Sequence, residues 1–296
     1  MLTSVRIAAA VEPRYQTPCG QPDVNRKRKR NKANERIIML YTTKTIKGCR
    51  LDGIDGEIGK VKEFYFDDRH WTIRYLVADT GYWLPGRQVL ISPYALGSIN
   101  TDIYKQQIAI NLTKKQIEDS PSLDSHKPVS RQFEEEYHGY YDWPTYWGGP
   151  YTWGSYGYIM RDREKWKTSP QGKKALPQDH HLRSTHAVSG YHIQALDGEI
   201  GHVEDFIIDD QTWAIRYLMV NTHNFLPGRK VLFSPQWIEN VSWDESKVFV
   251  NLSRDAIKLS PEYTEDFLIT RDYETELHRH YNRKGYWVDE LVQSSR

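Results

Sequence analysis

Residues 48 to 93 of this chain return, in the same order and without a gap, as residues 190 to 235. The offset is 142, and 24 of the 46 aligned pairs are identical. Beyond Pro93 the first copy carries two extra residues, and the match resumes at an offset of 140. Asn111-Leu112 then falls on Asn251-Leu252, Ser120-Pro121 on Ser260-Pro261, and Arg131 to Tyr141 on Arg271 to Tyr281. A unit of this length is a whole domain, because solenoid repeats run to only about 20–50 residues. The chain of 296 residues is therefore expected to hold two like domains, at 39–141 and 187–287, each large enough for a small core.

Within each copy the pattern is that of strands. Glu199 to Asp210 reads EIGHVEDFIIDD and is followed by Trp213 to Val220, rich in β-formers. The residues between them, Asp209 to Thr212, and their counterparts Asp67 to His70, predict four-residue hairpin loops built on Asp side-chain-to-backbone bonds. Pro-Gly turns at Pro85-Gly86 and Pro227-Gly228 lead into strands Val89 to Ser92 and Val231 to Ser234. Two more short strands are predicted near Ile108 to Leu112 and Val248 to Leu252. Thr113 and Ser253 are expected to cap short helices, Lys114 to Glu118 and Arg254 to Lys258. The fold class is mainly β, two small barrels in tandem with short helices after each, since closure removes exposed sheet edges.

The remaining segments differ in character. Residues 1–38 lack periodicity and carry the basic run Arg26 to Arg30; they read as a disordered extension, and Met39 reads as the natural start. Residues 142–186 read as a linker rich in Gly and aromatics, and 288–296 as a tail. With 40 basic and 39 acidic side chains, the global charge points to neither nucleic acid nor an anionic membrane. Two cysteines exclude a disulfide framework, and the early apolar stretch Ile7 to Val11 is too short for a membrane span or signal core. A cytoplasmic location is the expectation.

The motif Asp-Gly-Glu-Ile-Gly-x-Val, the acidic hairpin with Trp, Ile-Arg-Tyr-Leu, and Leu-Pro-Gly-Arg-x-Val-Leu-x-Ser-Pro together resemble the PRC-barrel family. That family includes the cytoplasmic domain of the photosynthetic reaction centre H subunit and the C-terminal barrel of a ribosome-maturation factor. The resemblance covers most of 45–120 and 187–262, and it implies a small β-barrel that works as a docking module. The tails Arg131 to His138 and Arg271 to His278 look like the short helix that follows the barrel in tandem members.

Positions identical in both copies are those the architecture needs or those both copies use. Trp71 and Trp213, Ile73 and Ile215, Tyr75 and Tyr217, and Phe64 and Phe206 read as core. Gly56, Gly198, Gly59 and Gly201 read as turn or bend positions, and Gly-Glu-Ile-Gly lacks the ending of a phosphate loop. Asp67-Asp68 and Asp209-Asp210 read as loop caps in preference to a catalytic pair. His180, His181, His186, His278 and His280 read as solvated, with no zinc geometry. No catalytic, metal or cofactor residue is assigned. Partner contact is expected at Glu57 and Glu199, at Tyr82 and Trp83 (aligned with Asn224 and Phe225), and at linker aromatics Trp143, Tyr146, Trp147 and Trp153. The competing expectation is that those linker aromatics fold back over the barrels. The function read from this is a non-enzymatic interaction module with a protein partner, able to pair as a homodimer. The alternatives are an RNA- or ribosome-associated adaptor using Arg26 to Arg30, and an association with reaction-centre electron transport inherited from the family name.

Overall fold

The computed structural model describes residues 38–85, 87–102, 105–124, 129–147, 182–222, 229–265 and 268–288. The first half begins with β1 (Leu40–Thr42) and α1 (Thr43–Ile46). It continues through β2 (Arg50–Gly53), β3 (Gly56–Asp67), β4 (Thr72–Asp79), β5 (Arg87–Ile91), β6 (Leu96–Asn100) and β7 (Gln107–Ile110). The helix α2 (Lys114–Glu118), the two-residue β8 (Leu123–Asp124) and α3 (Arg131–Tyr141) complete it. The second half repeats the order with β9 (Leu182–Ser184), α4 (Thr185–Val188), β10 (His192–Ala195), β11 (Gly198–Asp209) and β12 (Ile215–Asn221). Then come β13 (Lys230–Phe233), β14 (Ile238–Ser242), β15 (Lys247–Val250), α5 (Arg254–Lys258) and α6 (Arg271–His280). The two hairpins around the Asp loops, the short helices and the terminal helices form, while Gly86, Pro227 and Gly228 of the Pro-Gly turns lie outside the described residues. Thr113 and Ser253 accept from backbone N–H groups at the starts of α2 and α5, as capping chemistry predicts.

The fold is mainly β, with one sheet per half. The first runs β6-β7-β2-β3-β4-β5-β8 and the second β13-β12-β11-β10-β15-β14. In each, the twelve-residue strand β3 or β11 carries register shifts at matching places, Val61/Glu63 and Tyr65/Phe66 against Val203/Asp205 and Ile207/Ile208. These bulges bend the long strand. Gly59 and Gly201 allow the bend: both have φ +151°, and a Cβ on either would sit 2.0 Å from a carbonyl oxygen of the partner strand.

The halves are not separate beads. β1, which precedes the first sheet, pairs with β11 of the second, Leu40 opposite Asp209 and Thr42 opposite Ile207. β9, which precedes the second sheet, pairs with β3 of the first, Tyr65 opposite Ser184 and Asp67 opposite Leu182. Each half thus lends its opening strand to the other. The Thr43 hydroxyl donates to Asp205, and the Lys44 N–H donates to Asp205 Oδ2 at 3.1 Å. The Ser184 hydroxyl donates to Glu63 at the aligned position. Lys44 also reaches Glu204 Oε1 at 2.7 Å, the same oxygen that Lys230 holds at 2.7 Å. Burial works against that charge, yet the two lysines bring the Glu204 pKa down to about 2.

Between the sheets the pseudo-twofold is explicit. Ile73 N donates to Trp213 O at 2.8 Å and Ile215 N to Trp71 O at 2.7 Å, around a bridge between Thr72 and Ala214. Phe66 and Phe206 pack across the junction with ring centroids 5.8 Å apart. One apolar cluster runs through both halves.

Most residues read as core are buried, including Phe64, Ile73, Tyr75, Phe206, Trp213, Ile215 and Tyr217. Trp71 is the exception: half-buried and stacked on Phe66 at 5.2 Å, it stands at the edge of the junction. The segment read as a linker begins and ends in ordered structure. Residues 142–147 pack on α3, and β9 opens at Leu182.

Candidate functional site

The densest chemistry in either half lies where the terminal helix covers the sheet. On α3, Glu134 and His138 sit four apart and therefore on one face, aimed at Tyr75 of β4. Tyr75 Oη lies 3.0 Å from Glu134 Oε1 and 3.0 Å from His138 Nε2. Tyr146, after the helix, donates to the same Glu134 oxygen at 2.5 Å, and Arg131 Nη1 lies 2.9 Å from Glu134 Oε2. Arg74 stacks over the Tyr146 ring at 3.9 Å. The second half repeats every element. Tyr217 Oη lies 2.9 Å from Glu274 Oε1 and 3.1 Å from His278 Nε2, Tyr286 donates at 2.9 Å, and Arg271 meets Glu274 Oε2 at 2.9 Å. Arg216 stacks on Tyr286 at 3.9 Å.

Counting protons in this cluster gives a definite result. His138 Nδ1 faces the Pro144 carbonyl at 3.0 Å, and His278 Nδ1 the Lys284 carbonyl at 2.9 Å. A carbonyl only accepts, so both Nδ1 atoms carry hydrogen. Three contacts remain in each cluster (tyrosine to glutamate, tyrosine to histidine, second tyrosine to glutamate) for two phenolic protons. One further proton is needed, on the carboxyl or on Nε2. Burial raises the pKa of Glu134 and Glu274 against the pull of Arg131 and Arg271. Burial also lowers His138 and His278 to about 4. Both directions favour the carboxyl over the histidine as the holder of that proton.

The paired aspartates split between two tasks. Asp67 Oδ1 accepts from Arg69 N at 2.8 Å and its Oδ2 meets Arg74 Nη2 and His70 Nδ1, each at 3.0 Å. Burial would raise its pKa, but the His70 hydrogen bond and the Arg74 charge more than reverse this and hold it well below the usual carboxylate range. Asp209 makes the matching contacts, accepting from Gln211 N at 3.0 Å and from Arg216 Nε at 2.6 Å. Asp68 instead takes Arg183 of the lent strand β9 at 2.9 Å, and Asp210 bonds the Met39 backbone before β1. Loop capping is what the first acid of each pair does; the second anchors the exchanged strand.

Of the residues expected at a partner surface, Glu57 is exposed and Glu199 is exposed with His192 Nδ1 at 2.9 Å. Tyr82 is fully exposed, whereas Trp83 is half-buried and donates from Nε1 to Ile58 O at 2.7 Å. Trp143 and Tyr146 are buried in the α3 cluster, and Trp147 is half-buried under Arg131, so these three fold back on their own half. Trp153, His180, His181, Asn224 and Phe225 lie outside the described residues, as does the basic run Arg26 to Arg30. Solvation does not hold for His278, which is buried in the cluster; His280 bonds the Ala256 carbonyl at 2.7 Å, and His186 is exposed on α4. The sequence reading passed over His138 and Glu134, although the Arg, Glu and His of α3 recur at the same spacing in α6.

A second duplicated feature lies in the turns that open β3 and β11. Ile54 and Leu196 occupy aligned positions and are 68% and 65% exposed, each three residues before the exposed Glu57 or Glu199. The turns are held by Asp55, which accepts from Lys114 N at 2.9 Å, and Asp197, which accepts from Arg254 N at 2.8 Å.

Among the described residues no helix is long and apolar enough to cross a membrane, and no cluster of His, Cys, Asp and Glu could hold a metal ion. Cys49 is buried, and burial raises its thiol pKa. Searches against protein-family models and against curated proteins find no match to the chain.

Proposed function

We propose that the chain is a tandem of two PRC-like barrels serving as a non-enzymatic docking module for a protein partner, with the two exposed turns as its contact points. The observation that carries this reading is the repeated pairing of an exposed aliphatic residue with an exposed glutamate, Ile54 with Glu57 and Leu196 with Glu199. The polar residues shared by both copies support it from the other side. Asp67, Arg74, Tyr75, Glu134 and His138, with their counterparts, are occupied by one another inside the halves. Reciprocal strand exchange would fix the distance between two such contact points, so that a partner engages both at once.

The test is co-purification from the native cell with wild type and with the Ile54→Asp, Leu196→Asp double variant. A partner recovered with wild type and lost with the folded variant supports the reading. An unchanged set of partners contradicts it. RNA binding with steep salt dependence, removed with residues 1–38, would favour the adaptor reading instead.

A further inference from the structure

Strand exchange creates two aligned seams, one on β11 and one on β3, and they differ in charge. On β11 the Glu204 carboxylate accepts from Lys44 and Lys230, each at 2.7 Å, and from Asn221 Nδ2 at 3.0 Å. That seam supplies its own anion. On β3 the residue aligned with Glu204 is Lys62, and Lys47 and Lys60 stand where the second half has Ser189 and His202. Gly48 and Val61 keep the identities of Gly190 and Val203, so the divergence falls on the polar side chains. The first seam has replaced its central anion with a cation.

It is also hollow. A cavity of about 420 Å³, open to solvent, is lined there by Lys47, Lys60, Lys62 and His186 together with Glu63 and Asp79. The two acids are engaged close to home: Glu63 takes the Ser184 hydroxyl, and Asp79 accepts from Gly81 N at 3.0 Å. Among the described residues, none of Lys47, Lys60 and Lys62 makes an ion pair or a side-chain hydrogen bond, and neither does the His186 ring. Three ammonium groups against two carboxylates leave this wall with one positive charge in excess, without counting His186. Lysine binds phosphate as a point charge on a flexible stem, and a concavity of this size suits a small molecule. The anion that the second seam carries within itself is, in the first, to be supplied from outside.

We propose that this cleft binds a small phosphate-bearing molecule, with Lys47, Lys60 and Lys62 on its phosphate oxygens and His186 as a further donor. The inference does not depend on the docking reading, since it uses none of the residues of the two exposed turns. Titration of the full chain with inorganic pyrophosphate at constant ionic strength, followed by NMR at the His186 ring and the Lys62 amide, tests it. Saturable shifts confined to residues 47–48, 60–63, 79 and 186 are expected. Lys62→Glu and Lys47→Ser, which install the second half's residues at two exposed positions, should each weaken binding at least about tenfold. Lys115→Ser, at an exposed lysine outside the lining, should leave the affinity unchanged. Absence of saturable shifts, equal weakening by Lys115→Ser, or unchanged affinity in the two cleft variants would overturn the proposal. Spermidine binding in the cleft where pyrophosphate does not would show that the two carboxylates govern it, and would overturn the proposal as well.

Discussion

At the scale of single residues, the two buried clusters are where this protein is most sensitive. Tyr217→Phe removes the hydroxyl that serves both Glu274 and His278. It leaves two buried groups short of a partner, so a loss of about 1–3 kcal/mol in urea unfolding is expected. The proton count also gives a pH signature. His138 and His278, lowered to about 4 from 6.5, contribute stability that is present above 6.5 and lost as pH falls toward 4. The raised glutamates have the opposite sign: their contribution is present below the ordinary carboxylate pKa and lost as pH rises through the folded value. The two partly cancel in wild type. Glu134→Gln removes one carboxyl and unmasks one histidine. Its stability should then fall more steeply with acid between pH 6.5 and 4 than wild type, by up to about 1.4 kcal/mol per pH unit. Parallel pH profiles of the two proteins would contradict the count. Sequence identity between copies located Tyr75 and Tyr217 and read them as core, which their burial bears out, but gave no sign of their polar partners. Their partners lie some sixty residues away on the terminal helices. Periodicity alone does not join a strand tyrosine to a helix glutamate. The recurring Arg, Glu and His of α3 and α6 were the available signal.

At the scale of elements, the hairpins, caps and short helices were legible because each rests on local chemistry: turn residues, capping hydroxyls and runs of β-formers. Strand exchange was not. β1 and β9 are three residues each, and nothing in Leu40–Thr42 states that its partner is β11 and not the nearer β3. The contacts that fix it are between distant side chains. Asp205→Ala removes the acceptor of the Thr43 hydroxyl and the Lys44 N–H. Amide exchange at residues 40–46 should accelerate by about tenfold or more, while the β12 amides keep their protection. The glycine bend makes a second test at this scale. In Gly201→Ala the new Cβ meets Asn221 O at 2.0 Å at φ +151°, so the β11–β12 ladder must part. A destabilisation of about 2–4 kcal/mol is expected from denaturant midpoints, and a neutral substitution would show that the bend is not strained.

At the scale of the whole molecule, duplication was plain from the sequence, but the relation between the copies was not. Two like domains on a tether would unfold independently. Two halves that trade strands, share backbone hydrogen bonds at Trp71 and Trp213, and enclose one apolar cluster should unfold together. The most direct measurement is residue-resolved urea unfolding of Ile193→Ala, a fully buried side chain of the second half. The substitution should lower stability by about 2–5 kcal/mol. Amides of β4 in the first half and β12 in the second are predicted to lose signal at one shared, lowered midpoint. A first half that keeps its wild-type midpoint while the second unfolds early would contradict the interlocked pair.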